Sequence, residues 1–357
     1  MINYGSAPAI DELEITIFGP GFGEAVAIHL GENSWLLVDS CINPENNEPA
    51  TRHYLDSIGV ADPSVKVIVA SHWHDDHVRG LSELANRYPS AEFYYSSVFN
   101  EKECLAFLKA YSGDDSLQLS KGTQELAAVL ETHTSRCFPA HHKVVVFEAN
   151  IAGRSVIVRA FSPTPAAARQ CIAHFAQYVP KAAGVDPRNH APDVQPNAES
   201  VVLHIEFGDD AILLGSDLED QGERGWQMLT ESSYCLSKQK ASAYKVAHHG
   251  SKSGDHTNIW SNLLIGAPHA VMTPFHWGGN RLPTDLDRAR IQGYTSKAHI
   301  SSNGTSRPTL SGDQLKTASR LCNKLVRRNP AFGAVRLRRK PGDIDWSVEL
   351  FGHASKL

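Results

Sequence analysis

Six consecutive residues, His72-Trp73-His74-Asp75-Asp76-His77, place three imidazoles and two carboxylates in one short run. Imidazole nitrogens with a carboxylate are the donor set that divalent zinc or manganese accepts. On an extended turn His72 and His74 point the same way and can share one ion, while Asp76 and His77 curl toward a second. A lone histidine or aspartate on a loop is ordinarily a solvated side chain. The HxHxDH unit is far rarer by chance, and here it ends the apolar run Val65 to Ala70, so it sits at a strand's C-terminal end. Both ions need further ligands from elsewhere in the chain.

The elements that must supply them can be read from the pattern. LEITIF, AVAIHL and SWLLVDS read as strands around the tight loop GPGFGEA, followed by a helix from about Pro49 to Ile58. GPGFGEA lacks the Lys-Ser/Thr and the following helix of a phosphate loop, so it reads as a turn near the site. Residues 80–137 read as mainly helical apart from a short strand at EFYYSS, an insertion that would cap the site. KVVVFEA and SVIVRAFSP restart the strands, and Thr164 to Tyr178 reads as a helix with Pro165 in its first turn. Ser200–Phe207 and Ala211–Leu214 pair across GDD, and the second strand runs into GSDLED. Ala243–Val246, HAVMTPF and KAHISS follow between helical stretches. Strands then helices, twice over, predict a four-layer αββα sandwich. We read residues 1–357 as one domain, with a basic C-terminal segment at 312–357.

HxHxDH after a strand resembles the metallo-β-lactamase fold superfamily. That resemblance implies that Asp39 in LLVDS orients the loop and a metal-bound histidine, that Asp217 in ILLGSDLE bridges two ions, and that His249 in KVAHHGSKSG is the final ligand. The nearest subgroup is the metallo-hydrolase domain of the ComEC competence proteins. Its Gly-rich opening, VDS, HxHxDHxxG, NxxSxVL, LxGDxE and HHGS are met by GPGFGEA, Val38-Asp39-Ser40, SHWHDDHVRG, Asn197 to Leu203, Gly215 to Glu219 and His248 to Ser251. These motifs span roughly residues 14 to 255.

Two departures from the wider pattern carry weight. Asn197 and Ser200 stand where the superfamily often has another histidine, which weakens the ion held by His72 and His74. Arg307-Pro308 replaces a late His-Pro, offering a guanidinium that can bind phosphate. Neighbouring side chains diverge, so His248 and His249 cannot both face one ion. With His249 on metal, His248 is free to contact substrate or protonate a leaving group. Ser71, Ser216 and Ser251 adjoin His or Asp, but a Ser-His-Asp triad needs a free histidine, and these partners are committed to metal.

Composition narrows the rest. The chain has 357 residues, 41% hydrophobic and 20% charged, which is ordinary for a folded protein. No run is long and apolar enough for a membrane span, and the N-terminus lacks a signal pattern, so we expect a cytoplasmic protein. The six cysteines form no CxxC pair, so reduced thiols are expected. A net charge of −5 argues against a surface basic all over. Local basic faces remain: Lys316, Arg320, Lys324 and Arg327 share one side of a helix, and Arg336 and Arg338 alternate outward on a strand beside Asp345 and Glu349. The loop from Phe275 to Arg281 combines aromatics, glycines and a cation, as cleft-lining loops do. His141 and His142 read as surface residues.

The resemblance implies a hydrolase with two divalent ions, Zn or Mn, and a metal-bound hydroxide. Asp76, His248 and Arg307 are the expected catalytic residues, and His72, His74, Asp76, His77, Asp217 and His249 the metal ligands. The expected substrate is a phosphodiester, with nucleic acid as one source. Carboxylic ester, lactone or thioester hydrolysis on the same scaffold is the enzyme alternative. A metal-binding partner subunit of a multi-protein bacterial system is the non-enzymatic one, and a protein partner or homo-oligomer fits either.

Overall fold

Strands buried on both faces read as continuous apolar runs, whereas half-exposed ones alternate. Both kinds occur in the computed structural model, which describes residues 2–19, 22–100, 121–176, 196–277, 279–303, 316–317, 320–321 and 331–357. In chain order the strands are β1 Leu13–Gly19, β2 Ala25–His29, β3 Trp35–Val38, β4 Ile42–Asn43, β5 Glu48–Pro49, β6 Val65–Ala70, β7 Glu92–Ser96, β8 Cys137–Ala140, β9 Val145–Ile151 and β10 Arg154–Ala160. There follow β11 Leu203–Phe207, β12 Asp210–Leu214, β13 Ala241–Lys245, β14 Leu264–Met272, β15 Phe275–Trp277, β16 Asn280–Leu282, β17 Ala298–Ile300, β18 Gly333–Arg339, β19 Ser347–Gly352 and β20 Ser355–Lys356.

Two eight-stranded sheets result, ordered β19-β18-β1-β2-β3-β6-β7-β8 and β20-β17-β14-β13-β12-β11-β10-β9. In the first, antiparallel β1–β2–β3 passes into parallel β3–β6–β7–β8. The second repeats the plan, with antiparallel β9 to β12 continuing into parallel β12–β13–β14–β17. Between the sheets Ile15, Ile17, Leu36 and Val69 meet Val158, Leu203, Ile205 and Ile212. Helix Ala50–Ser57 covers the outer face of the first sheet with Tyr54 and Leu55, beside Leu81, Leu84, Leu126 and Val129 from two further helices. Trp226, Leu229 and Ile291 cover the second. The expected four layers are therefore present.

Three readings change. Where residues 80–137 are described, they build strand β7, the start of the edge strand β8 and part of the outer helical layer of the first sheet, and none of them lines the cavity over the metal-binding residues. Arg336 is buried rather than outward, donating to Glu349 at 2.8 Å and to the Tyr4 carbonyl at 2.8 Å, while Arg338 donates to Glu14 at 2.7 Å. Alternation along β18 leads to a second packed face and not to water, because Tyr4 and helix Ala50–Ser57 lie there. His142 is also buried, its Nδ1 donating to the Phe161 carbonyl at 2.7 Å. Lys316 and Arg320 are exposed, whereas Lys324, Arg327 and Arg307 lie outside the described residues. No helix among the described residues is long and apolar enough to cross a membrane.

Candidate metal centre

Parallel strands deliver their following loops to one end of a sheet, and here both sheets open toward the same place. The loop after β6 carries His72 to His77, the turn after β12 carries Asp217, and the turn after β13 carries His249. Tight turns do the aiming. Asp39, Ser216, His248 and His249 all adopt left-handed φ, at 60°, 45°, 46° and 53°, a sparsely populated conformation for non-glycine residues that the surrounding structure must hold in place. Gly215 lets the β12 and β13 ends close up, since a Cβ there would sit 2.8 Å from that of Ala247.

The donors converge in two groups. His77 Nε2 lies 3.4 Å from Asp217 Oδ1 and 3.5 Å from Asp76 Oδ2, and His249 Nε2 lies 3.1 Å from Asp76 Oδ2 and 3.4 Å from Asp217 Oδ2. Beside them His72 Nε2 and His74 Nδ1 are 3.1 Å apart, within reach of the same aspartate. Asp217 thus belongs to both groups, so all six residues expected as ligands from the sequence come together.

Their chemistry fits divalent cations. His77 Nε2 and Asp217 Oδ1 are buried and have no hydrogen-bond partner among the described residues, an arrangement that costs free energy unless something else binds those atoms. Glu24, Asp39, Asp76 and Asp217 are four buried carboxylates around these histidines, with the buried Lys245 pairing to Glu24 and, at 4.0 Å, to Asp217. Charge at that density is tolerated where a metal balances it. The His72–His74 group has three donors, because Asn197 and Ser200 bring no histidine. Asn197 Oδ1 and Ser200 Oγ remain without a hydrogen-bond partner among the described residues.

Behind the ligands a second ring of groups fixes the imidazoles. Asp39 accepts from His77 Nδ1 at 2.8 Å and from the Ser71 amide and hydroxyl, each at 2.7 Å. Ser71 Oγ also contacts His72 Nδ1 at 3.0 Å. His249 Nδ1 faces Thr273 Oγ1 at 3.1 Å, and Thr273 donates to Glu24 at 2.5 Å. Glu24, buried just before β2, was not expected from the sequence. It approaches His77 and His249 from the Nδ1 side, at 3.7 and 3.5 Å, and pairs with Lys245. We therefore place it behind the ligands, although its oxygens also lie near the donor group. Gly23, at φ 101°, allows this approach, since a Cβ would meet the Asp76 carbonyl at 3.0 Å and the Glu24 amide donates there at 2.9 Å.

Protonation divides the histidines. Burial pushes His72 well below the ordinary range, and it lowers His74 despite Asp76 and Asp217. Burial acts the same way on His77 and His249, but the surrounding carboxylates, Asp217 foremost, outweigh it. They raise His77 well above its ordinary value and His249 to about 9. Binding a cation at these two must therefore displace protons.

The cavity above these residues has a volume of about 820 Å³ and is lined by Phe22, His74, Asp76, His248, Phe275 and Arg281, among others. His248 turns away from His249 as expected, its Nδ1 donating to Glu219 at 3.0 Å, while Asn197 Nδ2 lies 3.3 Å from its Nε2. The hydrogen bond from His248 draws Glu219 down to about 2, so a carboxylate faces Nδ1 throughout the neutral range.

Two sheets of this order, with the HxHxDH loop following β6 and Asp217 joining both donor groups, decide the architecture. The chain carries the metallo-β-lactamase fold. Residues 18–134 match the model of the Metallo-beta-lactamase superfamily, a span that holds the HxHxDH loop. Among solved structures, similar ones include MEM-A1, a subclass B3 metallo-beta-lactamase from a soil metagenome library, at 16% identity over 68% of this chain and 80% of that one, TM-score 0.35. A second is the Cronobacter sakazakii metallo-beta-lactamase with the HARLDQ motif, at 14% identity over 66% and 75%, TM-score 0.36. A third is Zn(2+)-bound PqqB from Methylobacterium extorquens, at 13% over 62% and 56%, TM-score 0.30. Comparison with curated protein sequences yields no match.

Proposed function

We propose that this protein is a divalent-metal-dependent phosphodiesterase acting on nucleic acid, with His72, His74 and Asp217 holding one ion and Asp76, His77, His249 and Asp217 the other. The observation that carries the reading is the pair of donor groups sharing Asp217 beneath an open cavity. When bound, zinc or manganese would supply Lewis-acid activation of water and would offset charge on the phosphoryl oxygens. The chain's own residues do the rest. Asp39 and Glu24 hold the imidazoles in register from behind, so the donors need not reorganise. Glu219 orients His248, which lines the cavity, through Nδ1, and only the imidazolium form of that ring, with Nδ1–H held by Glu219, would have an Nε2–H to hand to the departing oxygen. The motifs shared with the ComEC-type domain, from GPGFGEA to HHGS, favour a phosphodiester over a lactone.

Turnover of bis(4-nitrophenyl) phosphate, a γ-lactone and a chromogenic β-lactam, each with zinc or manganese added, tests this. The diester should be cleaved fastest, and EDTA should abolish cleavage. Lactone or ester cleavage with the diester untouched under both metals would move the protein to the carboxylic ester class. A metal-loaded protein inert toward all three would point to a structural subunit.

A further inference from the structure

The metal centre occupies one end of a cavity whose volume, about 820 Å³, is in the range of sites that enclose whole ligands rather than single groups, roughly 300–1,000 Å³. Its remaining walls have a distinct character. Phe275 stacks on His249 with ring centroids 5.1 Å apart, and Phe22 continues that wall at 5.7 Å from Phe275. Arg79 lies over the Phe22 ring at 4.9 Å and reaches Asp75 at 3.7 Å, which holds the ring in place. An aromatic surface therefore runs outward from a metal ligand.

Beyond it the hairpin β15–β16 brings Arg281 into the lining. Arg281 is the one lysine or arginine among the described lining residues, and it pairs with no carboxylate among the described residues. Just past the hairpin Thr284 caps helix Asp285–Tyr294 through a reciprocal bond with Asp287, so β16 is tied to a rigid element. The cavity thus has two places for negative charge, the metal centre and Arg281, with an aromatic wall running out from the first.

We propose that Phe22, Phe275 and Arg281 form a second subsite, which takes a planar ring and an anionic group beyond the scissile phosphate, as the neighbouring nucleotide of an oligonucleotide would present them. The proposal rests on the phosphodiesterase reading of the metal centre and deepens it. Aromatic faces stack on any base, and a guanidinium binds phosphate through two parallel N–H groups.

Titration of the full chain in EDTA, where cleavage is off, separates the subsite from turnover. The probes are thymidylyl-thymidine with and without a 5′-phosphate. In the wild type the added phosphate should tighten binding about tenfold, which is the size of one charge-assisted contact. Arg281→Ala should shrink that increment to within about twofold, and Arg281→Lys should keep part of it, since the charge remains but the fork is lost. Phe22→Leu should weaken both probes by one common factor of about five, from lost stacking. An increment equal in wild type and Arg281→Ala, or no binding of either probe by the wild type, overturns the subsite. Manganese is then added to the same samples. Cleavage without Arg281 dependence would retain the phosphodiesterase and discard the subsite, whereas Arg281-dependent binding without cleavage would do the reverse.

Discussion

Replacing Lys245 by Met would remove the ammonium that sits against Glu24, with both side chains almost wholly buried, at 1% and 2% exposure. Breaking a buried pair from one side costs about 3–5 kcal/mol, because the surviving charge keeps its desolvation penalty. Here Glu24 retains His77 and His249 at 3.7 and 3.5 Å and the Thr273 hydroxyl, which places Lys245→Met near the lower end, about 3 kcal/mol. Glu24→Gln leaves Lys245 with the Ser216 carbonyl at 3.1 Å and Asp217 at 4.0 Å, and a loss at the same lower end, about 3 kcal/mol, is expected. The double variant buries neither charge, so its loss should fall short of the sum by about 2 kcal/mol. Urea unfolding of the EDTA-treated protein at pH 7, run as a double-mutant cycle, measures this. Additive losses would refute the view that the two residues act as one neutralising unit behind the metal ligands.

Asp217→Ala should lose more bound metal than the alanine variant of any single histidine ligand, because it removes a donor from both groups. Elemental analysis showing normal metal content would contradict the assignment. Glu199 is raised to about 8 chiefly by burial. The fold tolerates its neutral form, so that stability is fully present below the ordinary carboxyl range and is lost as pH climbs toward 8. Between pH 5.5 and 7.5 the metal-free wild type should therefore lose about 2 kcal/mol relative to Glu199→Gln, at roughly 1.4 kcal/mol per unit less a margin for relaxation; parallel pH dependences in urea titrations would count against it. Changing Lys316, Arg320, Lys324 and Arg327 to Glu should weaken polynucleotide binding and flatten its salt dependence while sparing hydrolysis of a small diester. Unchanged polymer affinity would mark that face as merely solvated.

Much of the scaffold was legible because its signals are local. Val65 to Ala70 is apolar, short and followed by HxHxDH, and it became β6 with the loop at its end. The partners behind the ligands were harder to see. Glu24 looks like one polar residue in a glycine-rich turn, and only the fold brings it to Lys245, more than two hundred residues away in sequence. A usable signal did exist: Lys245 lies within the run ASAYKVA, and a lone charge in a buried parallel strand demands a partner. Arg336 and Arg338 misled for a related reason, since period-two alternation reports two faces without saying that one is wet. The resemblance supplied Asp217 and His249, which no spacing rule links to residue 72.

The position of β1 bears on how the chain can be shortened. β1 lies between β2 and β18, and β18 in turn carries β19. A version of the protein that stops before Gly333 would keep every proposed metal ligand, yet it would leave the β1 backbone from Leu13 to Gly19 without its outer partner. Such an open, apolar edge is a template for pairing with other chains. Fragments that keep β1 and the ligands but stop before Gly333 should therefore aggregate through β1 despite an intact ligand set, and supplying residues 331–357 as a separate peptide should restore solubility.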